Sequence, residues 1–291
     1  MQLFGVEGNT QRLDGGAMFG NCPRQVWSRW APPDDGNRIR LACRALLVRE
    51  PSGRHVLCEA GIGAFFEPKL RERYAVDQAE HVLLASLANV GVRPDDIDVV
   101  VLSHLHFDHA GGVLAGYQEG APARLVFPRA KYVVSRAAWE RANHPHARDR
   151  ASFIAELPDL LRATERLELV DGPHSTTLGS NYSFTFSEGH TPGLMLTRVE
   201  GASRGPVTFM GDLVPGVPWV HLPITMGYDR YPELLIDEKK AILDRVMSEN
   251  GWLFFTHDPE TIASTVSLEN AKYAAKERVL RDPSPARPLF S

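Results

Sequence analysis

Four metal-ligand side chains fall within the six residues His104-Leu105-His106-Phe107-Asp108-His109, a density no apolar core strand tolerates. The run Val99-Val100-Val101-Leu102 just before them is continuous, β-branched and apolar, which predicts a buried parallel strand. The cluster therefore leaves the C-terminal end of a strand, the edge on which open α/β architectures build their sites. Side chains alternate along an extended segment, so His104 and His106 point the same way and Asp108 continues the series. Gly111-Gly112 then supply a backbone able to turn sharply. Imidazole suits zinc and iron, and a carboxylate beside it hardens a second position.

A zinc ion takes about four ligands, and a catalytic one leaves a position open for water. The four clustered side chains cannot complete two such sites. Three further candidates follow apolar or strand-like runs: His190 in Glu188-Gly189-His190-Thr191-Pro192-Gly193, Asp212 in Met210-Gly211-Asp212, and His257 in Phe255-Thr256-His257. They lie too far apart along the chain to cluster locally, so only the fold can gather them.

This pattern resembles the metallo-β-lactamase superfamily, whose His-X-His-X-Asp-His signature is followed by a distant His, Asp and His. From Gly91-Val92-Arg93-Pro94-Asp95-Asp96-Ile97-Asp98 through Gly112 the chain is especially similar to the quorum-quenching N-acyl homoserine lactonase branch. The likeness extends over roughly residues 40 to 260. It implies two divalent metal ions, with His104, His106 and His190 holding one, Asp108, His109 and His257 the other, and Asp212 bridging. Zinc is the expected metal, although iron, manganese and cobalt accept the same donors. It also implies an α/β fold, an αββα sandwich of two mixed β-sheets flanked by helices.

The pattern of elements fits that sandwich. Strand-like segments at 40–48 and 55–58 alternate with helical stretches at 78–90, 150–164 and 232–250. No linker or low-complexity run divides the 291 residues, so the chain reads as a single domain, with an apolar N-terminal loop over about 15–38 and a Pro-rich extended tail over about 281–291. Cys22, Cys43 and Cys58 lack disulfide or metal spacing and read as free thiols. With no signal-like N-terminus and no apolar run of membrane-spanning length, the expected location is cytoplasmic, without a membrane partner. A net charge of −4 with dispersed Lys and Arg disfavours nucleic acid.

Suitable metal ions lower the pKa of bound water from about 15.7 to about 7. A dinuclear centre with two aspartates and one hydroxide retains a charge of about +1, which favours a developing oxyanion. The expected activity is hydrolysis of an ester bond by metal-bound hydroxide, with a lactone as the leading substrate. A thioesterase or glyoxalase-like hydrolase is the alternative. A phosphodiesterase ranks lower, because no cation lies close in sequence to the ligand motifs.

Asp108 and Asp212 are then catalytic as well as ligating. Lactonases of the similar branch often carry a tyrosine soon after the bridging aspartate, whereas Leu213-Val214-Pro215-Gly216 stands here. The nearest phenol downstream, Tyr228, and Asp212 are the candidates for supplying a proton to the leaving alkoxide. Met18, Phe19 and Trp27 in the apolar N-terminal loop, together with His221, are candidate substrate contacts; the same loop equally suits a homodimer contact. Glu59 stands where many members carry Asp-Thr-Gly and is expected to hold a ligand histidine in one tautomer. His144 and His146 read as a solvated loop, and His81 as a surface position on its helix.

Overall fold

The computed structural model describes residues 1–282 and 287–291. Its first eight strands are β1 (Gln2–Val6), β2 (Gln11–Asp14), β3 (Arg38–Leu41), β4 (Ala45–Arg49), β5 (His55–Cys58), β6 (Val99–Val101), β7 (Lys131–Ser135) and β8 (Leu167–Val170). Six more follow: β9 (Tyr182–Ser187), β10 (Leu194–Val199), β11 (Val207–Phe209), β12 (Trp252–Phe254), β13 (Thr261–Glu269) and β14 (Lys272–Leu280). One six-stranded sheet has the order β1-β4-β5-β6-β7-β8 and the other β14-β13-β12-β11-β10-β9, with β2-β3 forming a small ribbon. Both are mixed. β5 to β8 run parallel in the first sheet and β11 pairs parallel with β12 in the second, while the other neighbours are antiparallel.

The period-two geometry of the strands divides the core into layers. Val99 and Val101 face Phe209, Phe254 and Met195 of the opposite sheet, whereas Val100 turns outward to Leu83 and Leu87 of the helix Val82–Asn89. The second sheet's outer face is covered by the helix Pro232–Ser248, through Leu235, Ile242, Leu243 and Val246, and by N-terminal residues. A strand buried on both faces must be apolar throughout, and for that reason the Val-rich run was legible as one. The expected αββα sandwich is the fold of this chain.

Several boundaries differ from the expected ones, each for a local reason. The stretch 40–48 is two strands, because at Ala42 and Arg44 the backbone amides leave the sheet and donate to the His257 and Thr256 carbonyls. The helix expected over 78–90 begins at Val82, whose amide is capped from a distance by buried Asn9. His81, expected at the surface, is half-buried and tethered: its Nε2 lies 3.1 Å from the carbonyls of both Gly112 and Leu114. The expected helix 150–164 is a short 3-10 turn followed by Leu157–Ala163, with Pro158 in the first turn, where a missing N–H costs least.

The apolar loop over 15–38 contains two helical turns, Gly15–Phe19 and Arg24–Trp27, the first capped by the Asp14 carboxylate. The Pro-rich run 283–286 lies outside the described residues. Beyond it the chain is not free, since Phe290 is buried against Trp252 and bridges to Leu3. Cys43 and Cys58 are buried free thiols, and Cys22 is free and partly exposed. No helix among the described residues is long and apolar enough to cross a membrane.

Candidate metal centre

All seven candidate ligands leave strand ends on one edge of the sandwich, and all are buried. His104 and His106 follow β6, their rings 4.4 Å apart. Asp108 is delivered by a different geometry from simple alternation. The chain enters a helical turn, Phe107–Ala110, which presents Asp108 and His109 together. Gly112 is required for room rather than for a left-handed turn: a Cβ there would sit 1.9 Å from the Ala60 carbonyl oxygen, where this turn packs on the end of β5. His190 comes from the β9–β10 connection, Asp212 follows β11, and His257 follows β12.

The donors form two clusters. His104, His106, His190 and Asp212 bring one ligand atom each to within 4.8 Å of one another, and so do Asp108, His109 and His257. Asp212 stands between them. Its Oδ2 is 3.2 Å from His190 Nε2, while its Oδ1 is 3.3 Å from His109 Nε2 and 3.2 Å from His257 Nε2. His257 also lies 3.6 Å from Asp108 Oδ2.

These residues fit divalent cations. His104 Nε2 and Asp212 Oδ1 are buried and have no hydrogen-bond partner among the described residues. His109 Nε2 and His257 Nε2 face each other at 3.2 Å, where two lone pairs need something positive between them. Burial, then the neighbouring imidazoles His109 and His106, push His104 well down; burial and His190 do the same to His106, leaving both as neutral donors. For His109 burial acts in the same sense, but the Asp212 and Asp108 carboxylates overcome it and hold its pKa well up; Asp212 does likewise for His257. Asp212, despite burial, is held well below the usual carboxylate range by His109, His257 and His190. Cations entering this site displace protons, so affinity falls as pH falls.

Around the donors sits a shell that fixes their orientation. Glu59 belongs by distance to a third cluster with His104 and His109. Its oxygens are nevertheless engaged: Oε1 accepts from the Ser103 amide at 2.8 Å, and Oε2 accepts from Ser103 Oγ at 2.6 Å and pairs with His109 Nδ1 at 3.0 Å. Ser103 Oγ in turn lies 3.0 Å from His104 Nδ1, so one carboxylate sets the tautomers of histidines in both clusters. Asp229 Oδ1 lies 2.8 Å from His190 Nδ1, the Ala42 carbonyl 2.6 Å from His257 Nδ1, and Gln11 Nε2 donates to Asp108 Oδ2 at 2.6 Å. These last three supports escape sequence reading. Asp229 adjoins the tyrosine that the sequence singles out, but nothing in the local sequence marks Gln11 or Ala42.

A cavity of about 370 Å³ opens onto the centre, walled by Met18, Tyr74, Phe107, Arg148 and Tyr228 beside the ligands. Of the N-terminal candidates only Met18 reaches it. Phe19 is fully buried and stacked between Trp219 at 4.6 Å and Trp27 at 5.5 Å, so Phe19 and Trp27 are core residues that hold Met18 in place. His221 does not line this cavity; it lines a neighbouring one with Trp30 and Tyr273, which His257 also borders. Tyr228 is 45% exposed and in the wall; burial and the Asp108 carboxylate raise its pKa, keeping the phenol protonated. Arg148 is the cation that the sequence did not bring near the ligands. It follows the His144-Pro145-His146 stretch, and only the fold carries it to the pocket.

The family model for the metallo-beta-lactamase superfamily matches residues 38–257. An N-acyl homoserine lactonase from a Bacillus species is 30% identical over 211 residues, covering 68% of this chain and 69% of that one. A probable metal-dependent hydrolase from Staphylococcus aureus superposes with a TM-score of 0.84 at 26% identity over 96% of both chains. AidC, a dizinc quorum-quenching lactonase solved with N-hexanoyl-L-homoserine, gives a TM-score of 0.74 at 20% identity over 96% of this chain and 95% of its own.

Proposed function

The chain belongs to the metallo-beta-lactamase superfamily, and from that premise we propose that this metal-dependent hydrolase opens a lactone of the N-acyl homoserine type. The observation that carries the proposal is the placement of Asp212, one oxygen toward each ligand cluster, under an open pocket that has a protonated phenol in its wall. The lactonase relatives support the same substrate class.

His104, His106 and His190 would hold one divalent ion and Asp108, His109 and His257 the other, with Asp212 shared; zinc is the favoured metal. When bound, such ions acidify water and polarise a carbonyl oxygen. The protein's own groups do the rest. Glu59, Asp229 and the Ala42 carbonyl keep His109, His190 and His257 in fixed tautomers, so their free nitrogens face the metal positions. Met18, Tyr74 and Phe107 provide apolar wall against which an acyl chain excludes water. Tyr228, in the pocket wall with its phenol protonated, would give that proton to the ring oxygen as the acyl C–O bond breaks. An alkoxide needs that proton far more than a thiolate does.

The test is a comparison of leaving groups on purified, metal-loaded protein. Tyr228→Phe is expected to lower kcat for an acyl homoserine lactone by about tenfold to a hundredfold, leaving a thioester of the same acyl chain nearly unchanged. Equal losses on both substrates would remove Tyr228 as proton donor. Turnover of the thioester alone would replace the lactonase reading with a thioesterase.

A further inference from the structure

Residues 225–230 carry two groups with different duties: Tyr228 faces the pocket, and Asp229 supports His190. We propose that Arg148 is a positioning residue which fixes this segment and, through it, the Tyr228 hydroxyl beside the ligand clusters. The inference rests on the reading of Tyr228 as proton donor.

Arg148 Nη2 donates to the Gly227 carbonyl at 2.7 Å and to the Asp229 carbonyl at 3.2 Å, the two peptide oxygens that bracket Tyr228. Both contacts are charge-assisted, and the planar guanidinium fixes direction as well as distance. Elsewhere the segment is tied down from inside. Asp229 Oδ2 accepts from the Met226 amide at 2.6 Å, the Gly227 amide donates to the Ala17 carbonyl, and Lys239 Nζ donates to the Ile224 carbonyl at 2.6 Å.

The Tyr228 side chain makes no hydrogen bond among the described residues and is 45% exposed, so its direction depends on the backbone beneath it. Arg148 holds that backbone from a different chain segment of the same pocket wall. Its own segment is anchored in turn, because the Asp149 carboxylate accepts from Arg141 Nε and Nη2 at 2.9 and 2.7 Å. A phenol misplaced by about 1 Å forfeits up to about a hundredfold in rate, whereas metal ligation through His190 keeps its Asp229 support.

Two measurements on the full-length, metal-loaded protein test this. The first is amide hydrogen exchange over 225–230 in wild type, Arg148→Met and Arg148→Lys. The second is a double-mutant cycle with Tyr228→Phe on an acyl homoserine lactone and a matched thioester. Expected results are faster exchange in Arg148→Met at unchanged metal content, with kcat on the lactone down by about tenfold and the thioester little affected. In the Tyr228→Phe background Arg148→Met should add less than about a twofold further loss, because both changes remove one interaction. Arg148→Lys should recover part of both losses. Unchanged exchange in Arg148→Met overturns the proposal, and so do equal additional losses on both substrates in both backgrounds. If Tyr228→Phe itself leaves lactone turnover intact, the proton-donor reading fails; faster exchange in Arg148→Met still supports the clamp, and unchanged exchange still overturns it.

Discussion

The ligand cluster and the pocket wall above it differ in construction. Each candidate ligand sits on a strand end or on the short helical turn directly after β6, and none is more than 8% exposed. Arg148, Tyr228 and Met18 come instead from connecting segments, held by backbone carbonyls, one carboxylate cap and aromatic stacking. A donor set on strand ends keeps its spacing for as long as the sandwich stays packed. A wall assembled from loops can be altered piecemeal, which places substrate choice where change costs the scaffold least.

The sharpest way to break this contrast is to remove the group that stands between the two clusters. Asp212→Asn should lower metal content at both positions together and reduce turnover by about a thousandfold or more on every substrate, since several kcal/mol of transition-state stabilisation depend on the metals. Elemental analysis showing one position still filled would mean that Asp212 does not bridge.

Next in size is Phe19→Ala, which tests whether the N-terminal aromatics are scaffold or wall. Deleting a fully buried ring stacked between Trp219 and Trp27 is expected to cost about 3–5 kcal/mol in stability. A loss mainly in KM, with an unchanged denaturant midpoint, would return Phe19 to the substrate contacts.

Glu59→Gln probes the boundary between the two regions. Because Glu59 orients His109 directly and His104 through Ser103, metal affinity or activity should fall about tenfold to a hundredfold without loss of the fold. A change confined to one metal position would show that the link through Ser103 carries nothing.

An effect that appears only as pH changes lies under the wall. Lys239 donates to the Ile224 carbonyl from a buried position, and burial pushes its pKa down to about 7, partly opposed by Asp229. The folded pKa is below the unfolded value, so the charged form penalises folding. That penalty is fully present below about pH 7 and disappears as pH rises toward the ordinary lysine range, at about 1.36 kcal/mol per unit. Relative to Lys239→Met, wild type should therefore gain stability between about pH 7 and pH 10. A difference in Tm that stays flat across that window would mean that the ammonium is not desolvated.

Sequence carried the fold class through a few residues whose chemistry leaves little choice. Val99-Val100-Val101 is apolar on consecutive positions, which only a strand covered on both faces can use, and the structure places it in the parallel core of the first sheet. Its boundary errors arose where tertiary contacts outcompete local preference. The amides of Ala42 and Arg44 leave their own sheet for the carbonyls after β12, and Asn9 caps a helix more than seventy positions away.

The seven candidate donors were legible in the sequence itself, because His and Asp after apolar strands have few other reasons to be buried. Their association into two clusters, with Asp212 between, was decided by the pairing of β9 through β12 and the face-to-face packing of the two sheets. The supports and the wall were decided almost wholly at that level. Gln11 reaches Asp108, Ala42 reaches His257 and Arg148 reaches Gly227 across long stretches of chain, through contacts no local pattern encodes. A ligand is specified by its own donor atom and can be read one residue at a time, whereas an orienting hydrogen bond or a pocket wall is a relation between distant residues, and it exists only once the chain has closed on itself.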